Sequence, residues 1–218
     1  MKPVWREGNT IGLLENGEEF FPRVFEAIAQ ARTRVYIETF ILLDDKVGLQ
    51  LLEALSGAAA RGVEVDVLAD GFGSEPLGAE YRARLAEAGV RLHIYEPRRR
   101  LFGLRMNVFR RLHRKIVLID SRVAFVGGIN FCCDQLLESG PRALQDYAVE
   151  LTGPIVHDIE DFVVRSYSAA HLVLSHREAL MRRVAAASDG SARVRFVTRD
   201  NHRHPTDIER EYRIAIRA

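Results

Sequence analysis

The chain has 218 residues, 47% hydrophobic and 28% charged, which suits a globular protein with one well-cored domain and part of another. A formal net charge of +1 excludes a global basic field, so any anionic partner must be met by a local patch. The only two cysteines, Cys132 and Cys133, are adjacent, which excludes a framework of spaced disulfides and fits buried thiols in a reducing compartment.

The elements predicted in chain order alternate between helix and strand, the pattern of an α/β layer fold. Phe20 to Ala31 carries apolar residues at helical spacing, namely Phe21, Val24, Phe25, Ile28 and Ala29. Arg34 to Leu43 is rich in β-branched and aromatic residues and reads as a buried strand. Val47 to Arg61 returns to helix and is closed by Gly62, and Val63 to Ala69 alternates as a second strand. A helix from Leu77 to Ala88, then Gly89, leads into a strand from Val90 to Tyr95. This rhythm predicts right-handed parallel crossovers. Lys115 to Asp120 and Val123 to Gly127 follow as strands separated by Ser121-Arg122, a hairpin-length gap. A strand from Asp146 to Leu151, a mostly helical stretch from Pro154 to about Ala187, a loop at 188–191 and a strand from Val194 to Thr198 complete the main pattern. Pro205 to Ala218 begins as a capped helix, with Thr206 as N-cap and Glu209 three residues on. Its end, Tyr212 to Ala218, is similar to Phe25 to Ala31 in the first helix, so the chain is expected to enter a second copy of its own fold. The expected organisation is a domain over 1–187, with 188–218 as linker and first helix of a truncated second repeat.

Chemistry is concentrated between His113 and Asn130. On a strand, residues i and i+2 face the same side, so His113 and Lys115 would project together, about 7 Å apart along the chain. Gly127-Gly128 lets backbone come close to a ligand, and Asn130 adds an amide donor. A lone histidine is more often structural, a lone lysine more often a solvated charge and Gly-Gly more often a turn. In this order and spacing they suit a phosphoryl group, whose non-bridging oxygens need donors and positive charge.

The run His113-x-Lys115-x4-Asp120-x6-Gly127-Gly128-x-Asn130 resembles the signature of the phospholipase D superfamily without gap or substitution. Within that superfamily the chain is similar to the N-terminal half of bacterial cardiolipin synthases of the B type. Supporting stretches are Tyr36-Ile-Glu-Thr-Phe40, Asp70-Gly-Phe-Gly-Ser74, Arg98 to Gly103, Asn107 to Arg111 and Gln145 to Val149, with Arg199 to His202 and Asp207 to Arg210 like the segment linking two halves. The resemblance implies a phospholipase D-like fold, a mixed sheet flanked by helices. It also implies that one motif histidine attacks phosphorus to give a phosphohistidine while the histidine of a second motif protonates the leaving alcohol. His113 would be nucleophile or partner acid, Lys115 and Asn130 would hold phosphoryl oxygens, Asp146 would orient the histidine ring, and Asp120 would brace the hairpin. The resemblance implies no metal or other cofactor, and no His or Cys spacing here matches a zinc site. None of the other six histidines is followed two residues later by lysine, so the second motif must come from a C-terminal half or a second copy of the chain.

From Arg98 to Lys115 there are eight basic residues and no acid, interleaved with apolar ones. Such a tract reads as a solvated loop or, placed before this histidine, as a dock for an anionic membrane through Arg98, Arg99, Arg100, Phe102, Arg105, Phe109, Arg110 and Arg111. Nucleic acid is the weaker expectation because few stacking aromatics are present. Glu38 is either a buried structural carboxylate or part of the site, and Asp70 to Ser74 reads as a tight turn at a strand end. The expected function is therefore half of a phosphatidyltransferase that makes cardiolipin from phosphatidylglycerol-like lipids. It would work peripherally on the cytoplasmic face of the bacterial inner membrane, with no transmembrane segment in this chain. A homodimeric phosphodiesterase or nuclease of the same superfamily, or a non-catalytic anionic-lipid-binding module, are the alternatives.

Overall fold

Residues 3–96, 100–101, 104–105, 111–169, 190–198 and 206–217 are described in a computed structural model of the chain. Strand β1 (Trp5–Glu15) and helix α1 (Asn16–Ala29) lead into β2 (Arg34–Thr39), α2 (Lys46–Ala60), β3 (Glu64–Asp70), α3 (Ala79–Glu87) and β4 (Arg91–Tyr95). The two-residue strands β5 (Arg100–Leu101) and β6 (Leu104–Arg105) pair with each other antiparallel. Strands β7 (Ile116–Ile119) and β8 (Val123–Gly127) form a hairpin, followed by short 3-10 turns at Cys133–Gln135 and Leu137–Arg142 and by β9 (Tyr147–Thr152). Helix α4 (Ile155–Ala169), β10 (Ala192–Arg195) and α5 (Asp207–Arg217) complete the order.

Eight strands form a mixed sheet in the order β10-β1-β9-β8-β7-β2-β3-β4. The parallel pairing expected of the crossovers is present, with β2–β3 and β3–β4 both parallel and joined through α2 and α3. The chain divides into a unit of residues 11–152 and a unit made of residues 1–10 and 153–218. In the first unit, Phe20, Phe21, Val24 and Ile28 of α1 and Leu51, Leu52 and Leu55 of α2 are buried with Val35, Ile37, Val65, Val67, Phe125 and Phe131. Their apolar contact areas make this the main core. In strands, alternate residues face opposite sides. Tyr36, Glu38, Asp66 and Leu68 therefore lie on the other face of the sheet, and all four are buried. In the second unit, Asn9 Oδ1 accepts from Ile155 N at 2.9 Å and caps α4, and Arg6 pairs with Asp158 at 2.8 Å.

Several boundaries differ from the sequence expectation. Strand β1 escapes the alternation rule because Gly8 has φ 79° and the register shifts between Arg6 and Asn9. The strand expected to run to Leu43 stops at Thr39, after which Leu42 bridges Phe131. The last strand covers Ala192–Arg195 rather than Val194 to Thr198. Strand β7 starts at Ile116, so His113 and Lys115 precede it and are not held by strand alternation. Most of the stretch expected to be helical beyond Ala169 lies outside the described residues.

Candidate functional site

A single ring, that of Phe40 just beyond β2, gathers two motif side chains. The His113 ring stacks on it at 4.5 Å between centroids and 18° between planes, and Lys115 Nζ lies 5.4 Å from the same centroid. A cation over an aromatic face is drawn to the negative side of the ring quadrupole. Lys115 Nζ also donates to the His113 carbonyl oxygen at 3.1 Å. His113 is exposed and Lys115 is half-buried. Burial lowers the pKa of Lys115, and the negative charge of Asp146 works against that shift.

The residue between them turns the other way. Arg114 Nε lies 2.6 Å from Glu38 Oε2, and Tyr36 donates to Glu38 Oε1 at 2.5 Å. Burial pushes the Glu38 carboxyl up, while Arg114 and then the Tyr36 hydroxyl pull it down. Glu38 is thus spent on an ion pair that holds Arg114, and through it the chain path of His113-Arg114-Lys115. The other end of this segment is fixed by Gly127 N, which donates to the Lys115 carbonyl at 3.3 Å.

Asn130 is buried, and its Oδ1 accepts from Ile41 N at 3.0 Å. Phe131 N donates to Ile41 O at 3.0 Å and Leu43 N to Phe131 O at 3.2 Å, so the segment that carries Phe40 is zipped to the one that carries Asn130. Among the described residues no hydrogen bond is made by Asn130 Nδ2, which leaves a donor for a ligand oxygen.

The space a side chain would take at Gly127 and Gly128 is filled from within the chain. A Cβ on Gly127 would lie 2.4 Å from both Ala148 Cα and Tyr147 O, and one on Gly128 would lie 2.0 Å from Asp146 Oδ1. These glycines admit β9 and the Asp146 carboxylate, rather than leaving bare backbone open. Asp146 Oδ1 accepts from its neighbour Tyr147 N at 2.8 Å, and Asp146 N donates to Asn16 Oδ1 at 2.8 Å. Among the described residues no hydrogen bond joins Asp146 to His113, and the charge of Asp146 acts instead on Lys115.

Asp120 lies at the opposite end of β7 from His113. Its carboxylate accepts from Arg32 N at 2.8 Å, Thr33 N at 2.8 Å, Thr33 Oγ1 at 2.7 Å and Arg34 N at 2.9 Å. Burial raises its pKa, but the donors of Arg34, Thr33 and Arg32 outweigh burial and hold it below the usual value. Asp120 and Ser121 have φ of 53° and 55°, and Arg122 N donates to Ile119 O at 3.0 Å, so two consecutive residues in the left-handed region turn the chain from β7 into β8.

Of the basic tract, Arg98, Arg99, Phe102, Phe109 and Arg110 lie outside the described residues. Arg100 and Arg105 pair across the β5–β6 hairpin. The Arg111 guanidinium lies 4.0 Å over the ring of Phe72. Phe40 and Arg114 were not singled out from the sequence as site residues. Phe40 ends the quoted stretch Tyr36 to Phe40, and Arg114 is the variable residue inside the motif. Nothing in strand periodicity marks either.

A family model described as "Cardiolipin synthase, PLD-like domain" matches residues 24–153. The chain is 50% identical over 216 residues to the cardiolipin synthase B proteins of Salmonella typhi and of Escherichia coli K12, covering 97% of this chain and 51% of each relative. It thus spans about half the length of these curated relatives. It is 39% identical over 165 residues to cardiolipin synthase A of Pseudomonas aeruginosa, with 75% of this chain and 34% of that protein covered. Among solved structures, the phospholipase D family member Nuc of Salmonella typhimurium superposes with a TM-score of 0.53 at 17% identity, and NucT of Helicobacter pylori with 0.53 at 13%. Each covers 75% of this chain and 94% of its own, a likeness of fold.

Proposed function

The chain belongs to the PLD-like domain family of cardiolipin synthases, and from that premise we propose that it forms the first half of a phosphatidyltransferase joining phospholipids into cardiolipin. The convergence of His113 and Lys115 on the Phe40 ring, beside Asn130 and Asp146, is the observation that carries the proposal. A phosphodiester placed there meets one nucleophilic or acidic imidazole, one ammonium and one amide donor, which is the set a phosphoryl transition state requires.

The reaction proceeds in two displacements. An imidazole nitrogen of one motif attacks phosphorus of a phosphatidylglycerol-like donor, and the bond from phosphorus to the leaving glycerol oxygen breaks. The imidazolium of the second motif supplies the proton that the leaving alcohol takes. The acceptor's hydroxyl then returns a proton to that second imidazole and attacks the phosphohistidine, which releases the first imidazole unchanged. His113 fills one of the two roles. Lys115 and Asn130 hold the non-bridging oxygens, Asp146 opposes the effect of burial on Lys115, and Asp120 braces the hairpin. The second histidine comes from the other half of a longer two-motif chain, in which residues 188–218 open the second repeat, or from a second copy. The tract from Arg98 to Arg111 brings the site to the anionic cytoplasmic face of the inner membrane. Among the described residues no helix is long and apolar enough to cross a membrane.

The test is conversion of labelled phosphatidylglycerol to cardiolipin in liposomes by this chain mixed with a polypeptide carrying the second motif. Conversion that disappears in His113→Gln is expected. Equal conversion by wild type and His113→Gln would exclude His113 from the reaction, and cleavage of DNA with no lipid transfer would favour the nuclease alternative.

A further inference from the structure

The turn Asp70–Ser74 at the end of β3 touches both strips of chain that meet at the candidate site. Asp70 is 1% exposed, and its Oδ1 accepts from Phe72 N at 2.8 Å and Gly73 N at 3.0 Å, which shapes the turn. Its Oδ2 accepts from Leu112 N at 2.7 Å, one residue before His113. Arg111, one residue earlier still, stacks over Phe72 at 4.0 Å. On the other side, Ser74 is 1% exposed, its hydroxyl donates to Phe40 O at 3.2 Å, and it accepts from Leu42 N at 2.9 Å. A Cβ on Gly73 would lie 2.2 Å from Phe40 O, so only glycine lets the turn close on Phe40. One turn thus grips the backbone just before the imidazole and the backbone of the ring on which the imidazole lies.

We propose that the Asp70–Ser74 turn is a positioning clamp that seats the His113 imidazole on Phe40, with Asp70 and Ser74 as its positioning residues. The functional significance of this clamp rests on His113 being a reacting group. A buried carboxylate with two oxygens is what three backbone N–H donors from two separate segments require, and an amide in its place presents a donor to donors. Stacking then fixes the plane of the imidazole, which narrows the directions its nitrogens can take, the order a near-attack geometry needs.

The test is the NMR spectrum of the ring protons of His113 in this chain, identified by their disappearance in His113→Gln. Stacked on Phe40, they are displaced upfield by the ring current in wild type, and Phe40→Leu removes the displacement. Asp70→Asn is expected to remove it too, whereas Asp66→Asn, which alters an equally buried carboxylate of the same strand that pairs with Arg91, leaves it in place. Should Asp70→Asn fail to fold, Ser74→Ala decides the matter, with a reduced displacement expected and a wild-type position overturning the clamp. A His113 signal that is undisplaced in wild type, or displaced equally in folded Asp70→Asn, would also overturn it. These signals report geometry whatever phosphodiester is turned over, so a failed lipid assay would sink the transferase proposal and leave this result standing.

Discussion

Replacing Arg114 with methionine removes the cation from the most buried carboxylate next to the site. Glu38 is 0% exposed and its partner's side chain 32% exposed, so the deletion strands the charge that water cannot reach. Removing one partner of a buried ion pair costs about 3–5 kcal/mol, and partial hydration of Arg114 places this pair near 3 kcal/mol. In a chain of 218 residues each kcal/mol moves Tm by roughly 2–4 °C, so Arg114→Met is expected to lower Tm by about 6–12 °C. The deficit depends on pH. Burial holds the Glu38 carboxyl above its ordinary value of 4.5, with Arg114 and Tyr36 pulling it back down. A carboxyl whose folded pKa exceeds its unfolded one gains a proton on folding, so its cost is small in acid and grows as pH rises through that window. Without Arg114 the window extends upward, and the deficit is larger at about pH 8 than at about pH 5. Glu38→Gln is milder, about 1–2 kcal/mol, because the buried charge itself is removed and the amide still accepts from Tyr36. Urea and thermal unfolding at the two pH values measure all three proteins. A deficit for Arg114→Met below about 1 kcal/mol, or one that is the same at both pH values, refutes the ion-pair reasoning.

Asp120→Asn is expected to destabilise the chain by about 2 kcal/mol at neutral pH, as an amide faces backbone donors. Its folded pKa is depressed, so the stability it confers is present above the ordinary value of 3.8 and is lost as pH falls through the folded pKa; the gap to wild type in urea unfolding closes in acid. Gly128→Ala drives a methyl group to 2.0 Å from Asp146 Oδ1; a cost of about 1–3 kcal/mol and a displaced Asp146 are expected in unfolding curves and NMR spectra. Asp146→Asn removes the charge that opposes burial at Lys115, so the lysine's pKa, already low, falls further in an NMR titration of its ε-methylene. Burial pushes the Cys132 thiol up to about 11, so native Cys132 resists thiol reagents near neutral pH until urea exposes it.

The α/β rhythm was legible because β2, β3 and their helices obey the periods that burial imposes, and the parallel crossovers follow from them. Motif spacing likewise marked His113, Lys115 and Asn130, which the fold brings around Phe40. What brings them together was not legible. His113 and Lys115 precede β7, so their alignment comes from a shared aromatic ring, from Glu38 on Arg114 and from Asp70 on Leu112. Each of these contacts spans forty or more residues of sequence, and no local pattern encodes it. The glycines read as an opening for ligand are filled by β9 and Asp146, because close approach to a ligand and close approach to a neighbouring strand ask the same of a residue. Strand β1 was missed for a local reason, the bulge and Gly8 that interrupt its alternation.

Whether His113 works in a two-motif phosphatidyl transfer is decided by trapping the covalent intermediate. The chain, supplied with the second motif and phosphatidylglycerol labelled at phosphorus, is quenched in base and analysed by mass spectrometry for phosphorylated or phosphatidylated histidine. The expected result is either label on His113 or label on the histidine of the second motif that fails to turn over in His113→Gln. Label on neither, with cardiolipin formed at the same rate by wild type and His113→Gln, would exclude His113 from the reaction.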